Sequence, residues 1–500
     1  MSSHLASGVV AASLLLTWLL LSRTLVTPGA GSPEPGFVYA ALAAPVVLGC
    51  HALLGVVLTG REWIEWFLGG DNVRHVVVVS DLIHQGGLTY TDPYPRGWHA
   101  LVSTIWVATH HASPEEAISR FVQFVGAATW GLTALLMLTL GSTAVTVLQR
   151  VRVRGRLAYL GVGLAGLAGL LPRITSDLLA LGFQTSILST LVLAVLVREA
   201  FSDRTRITSI AVSASCCVLM AHSWQLFLPI PVAILGVAVI FAWPTCGATE
   251  RIKIVGVAAL VAPGCWVPVV ELLRTTDVQA VGLPGVAPEI PWSLIVLGSL
   301  AFLHVARWSH DWRLVGTAGI AVFAPALTAC MLVAVLGVGL SDYYPTKMLG
   351  TTAVLSVPFI GASAAMVASA EALPRLTRRL TIAVALVVMT AGVVSPAGAL
   401  MGVWSTVRAD VVLRAIEMPA AADADGVWMR SETETTVVRT LLDVHRPERA
   451  PGAVRDGVTL AQECAALRAA SRPVVLTTHN SDGARRRYSC APVSVLRVEN

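Results

Sequence analysis

Long apolar runs broken by short polar stretches fill the first 403 residues. An α-helix needs about 20 apolar residues to cross the hydrocarbon core of a bilayer. The pattern therefore predicts about twelve membrane helices. They fall near Leu5–Leu21, Val38–Thr59, Ile118–Leu148, Leu157–Leu171, Asp177–Val197, Ile207–Ala221, Leu226–Trp243, Ile254–Val270, Trp292–Ala306, Leu314–Leu340, Gly350–Ala370 and Leu380–Val403. Trp98–Thr109 is too short and too polar at its ends to span, and reads as a helix lying in the interface. Beyond residue 403 the pattern changes. Thr459–Ala469 reads as a helix, and Pro473–Thr478 and Val493–Val498 read as strands.

Composition agrees with this division. Hydrophobic residues make up 55% of the chain and charged residues 13%, about half the usual charge of a soluble protein. A soluble enzyme and a disordered chain are excluded. So is a nucleic-acid binder, because 35 basic against 30 acidic residues leave a net charge of only +5. About a quarter of residues 404–500 are charged, an ordinary soluble density. The expected fold is an all-α polytopic membrane body, residues 1–403, followed by a small soluble α/β domain, residues 404–500.

Basic residues fall on every second loop: Arg150 to Arg156, Arg198 to Arg206, Arg251 with Lys253, Arg307 with Arg313, and Arg375 with Arg378 and Arg379. The positive-inside rule assigns these loops to the cytoplasm. The loop 61–120, the loops 272–291 and 341–348, and the C-terminal domain are then outside. This parity requires Trp98–Thr109 not to span. No cleavable signal peptide is expected, since the first apolar run lacks a basic lead and a small-residue cleavage site. Localisation to the plasma membrane, multi-pass, with an extracytoplasmic C-terminal domain, follows. There the two cysteines of that domain, Cys464 and Cys490, are expected to pair; two separate buried thiols are the alternative.

Ionisable residues are scarce in membrane proteins, so where they gather is informative. Five of the twelve histidines lie between His75 and His111. Asp71 opens an apolar run after Gly69-Gly70, with Arg74 and His75 following. Asp71 reads as an N-cap, as a general base at the membrane surface, or as both, with His75 one turn on to hydrogen-bond to it. Arg74 and Asp81 would share a neighbouring face. Arg96 and His99 follow Tyr94-Pro95, where Arg96 would meet a lipid phosphate. Tyr343, Tyr344 and Lys347 stand in the 341–348 loop, where a cation would neutralise a phosphate and tyrosines would flank it; an interfacial belt with a snorkelling Lys is the plainer alternative. His222 stands in a short turn before Trp224. No CxxC pair or HExxH spacing marks a metal site. No cofactor is predicted, although a divalent ion is compatible with the residue types.

The Gly70-Asp71…His75 and Tyr94-Pro95…His99 segments, with Tyr343-Tyr344…Lys347, resemble the GT-C glycosyltransferases, in particular the arabinofuranosyltransferase-like branch and its relatives. The likeness of architecture covers most of the chain, and that of motif about thirty residues. One departure is that Asn72 follows Asp71 where many of that superfamily carry an acidic pair. The resemblance implies an inverting transfer of sugar from a polyprenyl-phosphate donor to a cell-envelope glycan or lipid acceptor on the outer face. Asp71 and His75 would be catalytic. Arg74, Arg96, His99, Tyr343, Tyr344, Lys347 and His222 would bind the donor phosphate and substrate, and the soluble domain would help hold a glycan acceptor. The competing class is a multi-span transporter or lipid flippase, which would carry internal repeats and midplane polar sites; neither is apparent.

Overall fold

A computed structural model describes residues 35–59, 63–69, 71–87, 96–171, 182–202, 206–275, 289–309, 311–404, 407–445 and 459–498. The run expected at Leu5–Leu21 lies outside these residues. The described chain is predominantly helical, with one small sheet. Its helices are α1 (Pro35–Thr59), α2 (Asn72–His84), α3 (Gly97–Thr109), α4 (Ile118–Arg150), α5 (Arg156–Ala168), α6 (Gln184–Ala200) and α7 (Arg206–Ser223). Then come α8 (Pro229–Ala242), α9 (Ala248–Thr275), α10 (Trp292–Ser309), α11 (Trp312–Leu336), α12 (Tyr343–Ser369) and α13 (Arg375–Trp404).

Among the described residues, seven helical stretches are long and apolar enough to cross a membrane. Two of them form the centre of the bundle: 67% of the apolar stretch of α4 and 78% of that of α12 is buried, against 11% in α13. The outer helices instead present large apolar side chains such as Ile240, Ile252, Val335 and Val387, the surface a helix needs against lipid rather than water. α5 and α12 cross at Gly161 and Gly361, where a Cβ on Gly161 would lie 2.5 Å from the Gly361 carbonyl oxygen. Small residues let membrane helices approach this closely without a hydrophobic drive.

The bundle has two unlike ends. At one, Arg150 reaches Asp311 at 3.4 Å. Close by, the Arg313 guanidinium lies over Phe241 and Trp312, and that of Arg251 over Trp243. Several of the basic loops read from the sequence thus gather at one end. At the other end sit α2 and α3, the start of α6, the end of α7 and the start of α12. α4, about 50 Å long at 1.5 Å per residue, runs from the second end to the first.

The C-terminal region contains α14 (Ala409–Glu417), β1 (Gly426–Trp428), α15 (Glu432–Leu442), α16 (Leu460–Ala469), β2 (Val474–Thr477), α17 (Ser481–Arg487) and β3 (Ser494–Arg497). The strands form a parallel sheet in the order β1-β2-β3, with Gly426 beside Val475 and Val474 beside Ser494. α14 buries Val411, Val412, Ala415 and Ile416 and turns Asp410 and Arg414 outward. Cys464 on α16 is bonded to Cys490, Cα to Cα 5.9 Å. This region packs on the second end of the bundle: α15 lies against α2, and the Ala409 amide donates to buried Glu65 Oε1 at 3.1 Å. The helices α2 and α3 and the C-terminal region therefore share one end.

Candidate functional site

Asp71 stands at the N-cap of α2 with a helical backbone (φ −76°, ψ −5°), and its side chain makes no capping hydrogen bond. Capping is therefore not what this carboxylate does. It lies within electrostatic reach of Lys347 instead. The first turn of α2 is pinned from outside by the residues just before α6. Gly182 has φ +81°, and a Cβ there would fall 2.5 Å from Asn72 N and 2.8 Å from Asp71 C. Only glycine combines that backbone with that approach. The Gly182 carbonyl then reaches His75, and Gln184 Nε2 donates to Asn72 Oδ1 at 2.6 Å, with both side chains fully buried.

The sequence-based expectation that His75 bonds to Asp71 is corrected here. His75 Nε2 donates to the Gly182 carbonyl at 2.6 Å, and His75 Nδ1 meets His99 Nε2 at 2.6 Å. Burial lowers the His75 pKa to about 4, and the charges of Arg74 and Lys347 act in the same direction against the Gly182 bond. Burial likewise pushes His99 well below the usual range, with His75, Arg96 and Arg74 adding to it. Both rings are neutral at pH 7, and their tautomers follow. A carbonyl accepts only, so His75 carries its proton on Nε2 and accepts on Nδ1, and His99 donates to it from Nε2. Trp98 packs edge-on against both rings.

Tyr343, Tyr344 and Lys347 do not lie in a loop. They form the first turns of α12, which begins seven residues before the expected apolar run. Two tyrosines, a threonine and a lysine lower the hydropathy there at only a modest cost in helix propensity. Lys347 is buried, donates to the Tyr343 hydroxyl, and holds Nζ 3.5 Å from the centroid of the Phe183 ring and 3.7 Å from that of Tyr343. An aromatic wall continues from Phe183 through Tyr343 and Tyr344 to Trp224. A lysine that snorkels would present its ammonium to solvent; this one is enclosed.

Arg96 starts α3 and is buried. Burial raises the Asp81 pKa to about 6, Arg96 and His84 counter the rise, and Asp443 of the C-terminal region reinforces it. His84 pairs with Glu115. His222 borders the site, because a Cβ on Gly97 would lie 2.7 Å from the His222 carbonyl oxygen. Its ring is directed elsewhere, donating from Nε2 to the Gly264 carbonyl at 3.0 Å.

No protein-family model and no curated protein matches the chain. The structure nevertheless assembles in one place residues about 270 positions apart in sequence: Asp71, Arg74, His75, Arg96, His99, Tyr343 and Lys347. Tyr94 and Pro95 lie outside the described residues. Gly182, Phe183 and Gln184 were not legible as site residues, since the apolar pattern places them inside the Asp177–Val197 run. The Gly-Phe-Gln interruption was the available signal. Among the described residues no three His, Cys, Asp or Glu side chains form a metal shell. The groups gathered there are a carboxylate, three cations and a neutral imidazole pair.

Proposed function

We propose that this chain is a glycosyltransferase of the plasma membrane that moves a sugar from a polyprenyl-phosphate donor to a cell-envelope glycan or lipid acceptor. The observation that carries this reading is the enclosed Lys347 within electrostatic reach of Asp71, at the end of the bundle opposite the basic loops. By the positive-inside rule that end, with the C-terminal domain docked on it, faces outward. Asp71 removes the proton of the acceptor hydroxyl as its oxygen attacks the anomeric carbon. The donor phosphate leaves from the opposite face, which inverts that carbon. Lys347 holds the departing phosphate charge in a site closed to water, and Tyr343, Arg74 and Arg96 complete its surroundings. His75 and His99 are kept neutral beside it. The C-terminal domain lies over α2 and offers a surface for the acceptor.

The test is transfer by the purified full chain in nanodiscs, supplied with a panel of polyprenyl-phosphate-linked sugars and envelope acceptors. Polyprenyl phosphate appearing together with a glycosylated acceptor is the expected result. Movement of intact donor between leaflets of proteoliposomes, without bond cleavage, would make the protein a flippase.

A further inference from the structure

The end of the bundle opposite the candidate site carries cations in a different setting. Phe241 stands at the end of α8, and Trp243 follows in the turn to α9. The Arg313 guanidinium, on the first turn of α11, lies over Phe241 at 4.6 Å from the ring centroid and over Trp312 at 5.6 Å. Those two rings meet edge to face, which joins α8 to α11. The Arg251 guanidinium, on the first turn of α9, lies over Trp243 at 5.4 Å. Two arginines thus flank the end of one helix, each laid on an aromatic ring.

Among the described residues neither guanidinium pairs with a carboxylate. The acidic side chains beside them are engaged elsewhere. Glu250 accepts from the Gly247 amide at 3.2 Å, and Asp311 accepts from the Arg313 and Leu314 amides and pairs with Arg150. Lys253 and Arg307 add two more exposed cations at this end. An aromatic face attracts a guanidinium without using its N–H groups. Those donors stay in the guanidinium plane, the fork that fits a phosphate.

What faces these rings is lipid. Only 28% of the apolar stretch that contains α8 is buried, 19% of that in α9 and 22% of that in α11. Phe241, Trp243, Ile252 and Trp312 are exposed, so apolar surface continues up to the arginines, and hydrocarbon chains are what cover such surface on a membrane helix. Aromatic rings at the ends of spans lie at headgroup depth. By the positive-inside rule this end faces the cytoplasm, and the leaflet there carries negative charge.

We propose that Arg313 on Phe241 and Trp312, together with Arg251 on Trp243, forms a binding site for an anionic phospholipid of the inner leaflet. The guanidiniums take the phosphate, and the acyl chains run along the exposed faces of α8 and α11. A zwitterionic lipid brings its own cation to the same place and is held less well. Selectivity therefore lies in the net charge of the headgroup, and the bound lipid ties α8, α9 and α11 together at the rim. This site is remote from Asp71 and stands whatever chemistry occurs there.

The experiment is native mass spectrometry of the purified full chain, titrated with phosphatidylglycerol or with phosphatidylcholine of the same acyl chains. Phosphatidylglycerol is expected to bind roughly 25-fold more tightly, about fivefold for each arginine. Arg251→Gln with Arg313→Gln should erase that preference. Arg378→Gln with Arg379→Gln, cations at the start of α13 that lie on no ring among the described residues, should leave it intact. Phe241→Leu with Trp243→Leu keeps every charge and an apolar surface, and should lower the preference severalfold. Glycerol phosphate, a headgroup without chains, should not displace the lipid. Equal binding of the two lipids by the unaltered chain would overturn the site, and so would a preference that survives in the Arg251 and Arg313 pair. A preference lost equally in the α13 pair would assign it to the basic end as a whole and overturn the site as well. Displacement by glycerol phosphate would make this a site for soluble anions and overturn the lipid as its occupant.

Discussion

Two buried polar clusters in this molecule have opposite logic. In the C-terminal region, Arg439 pairs with Glu463 and donates to the Val427 carbonyl at 3.2 Å. The Tyr488 hydroxyl completes the set on Glu463 Oε2 and the same carbonyl. Charge meets counter-charge, and the disulfide at Cys464 adjoins it. Burial and the Glu463 charge push the Tyr488 phenol up to about 12, so it remains a donor at any ordinary pH. At the end of the bundle, by contrast, two neutral imidazoles are surrounded by Arg74, Arg96 and Lys347. The first cluster is balanced and serves stability. The second gathers cations and the Asp71 carboxylate around two uncharged rings, the mixed arrangement typical of a functional site rather than of a core network.

Breaking the balanced cluster should give the largest loss of stability. Arg439→Met leaves Glu463 buried without its partner and is expected to cost about 3–5 kcal/mol, seen as a lowered melting transition of the C-terminal region. A loss near zero would mean that this network is not closed. Lys347→Met should do the reverse. Losing a charged donor costs about 1.5–3 kcal/mol of phosphate affinity, roughly 10- to 100-fold, measured by calorimetry with farnesyl phosphate. Unchanged affinity would make Lys347 a packing residue.

Acid sharpens the contrast further. A histidine lowered to about 4 in the fold binds its proton more readily when unfolded, so His75 favours folding fully above about pH 6.5 and progressively less below it. Asp81, raised to about 6, has the opposite sign: its contribution is complete below its unfolded pKa and is lost as the pH rises through 6. Melting curves across this range should show the His75 loss on acidification diminished in His75→Gln. Tyr488→Phe removes the donor to the Glu463 carboxylate but leaves Arg439 on it, so the loss should be smaller than in Arg439→Met, about 1.5–3 kcal/mol for a hydrogen bond to a charged group, in thermal denaturation.

The membrane body was legible in the sequence because lipid demands long apolar runs and leaves few other solutions. The strands at Val474–Thr477 and Ser494–Arg497 and the helix at Leu460–Ala469 were visible for a similar reason, their short regular patterns being bounded by Gly, Pro and Ser. The start of α12 was not, since hydropathy measures water avoidance and Tyr343–Lys347 is helical but polar. Asp71, His75 and Lys347 could be singled out by residue type alone. Their partners could not. Gly182 matters through its backbone conformation and its carbonyl, and the His75–His99 bond depends on how α2 and α3 pack, a relation across 24 residues that no local period encodes.

The claim that the bundle-end cluster performs chemistry is tested most directly at Asp71. In Asp71→Asn, turnover of polyprenyl-phosphate-linked sugar and the melting temperature are measured on the same preparation. Asn is itself a good N-cap, so the start of α2 is kept, and the melting temperature reports only what the loss of the charge facing Lys347 costs. Turnover should fall by about 10²–10⁴-fold, the usual contribution of a general base. Normal turnover in a normally folded Asp71→Asn protein would contradict the account.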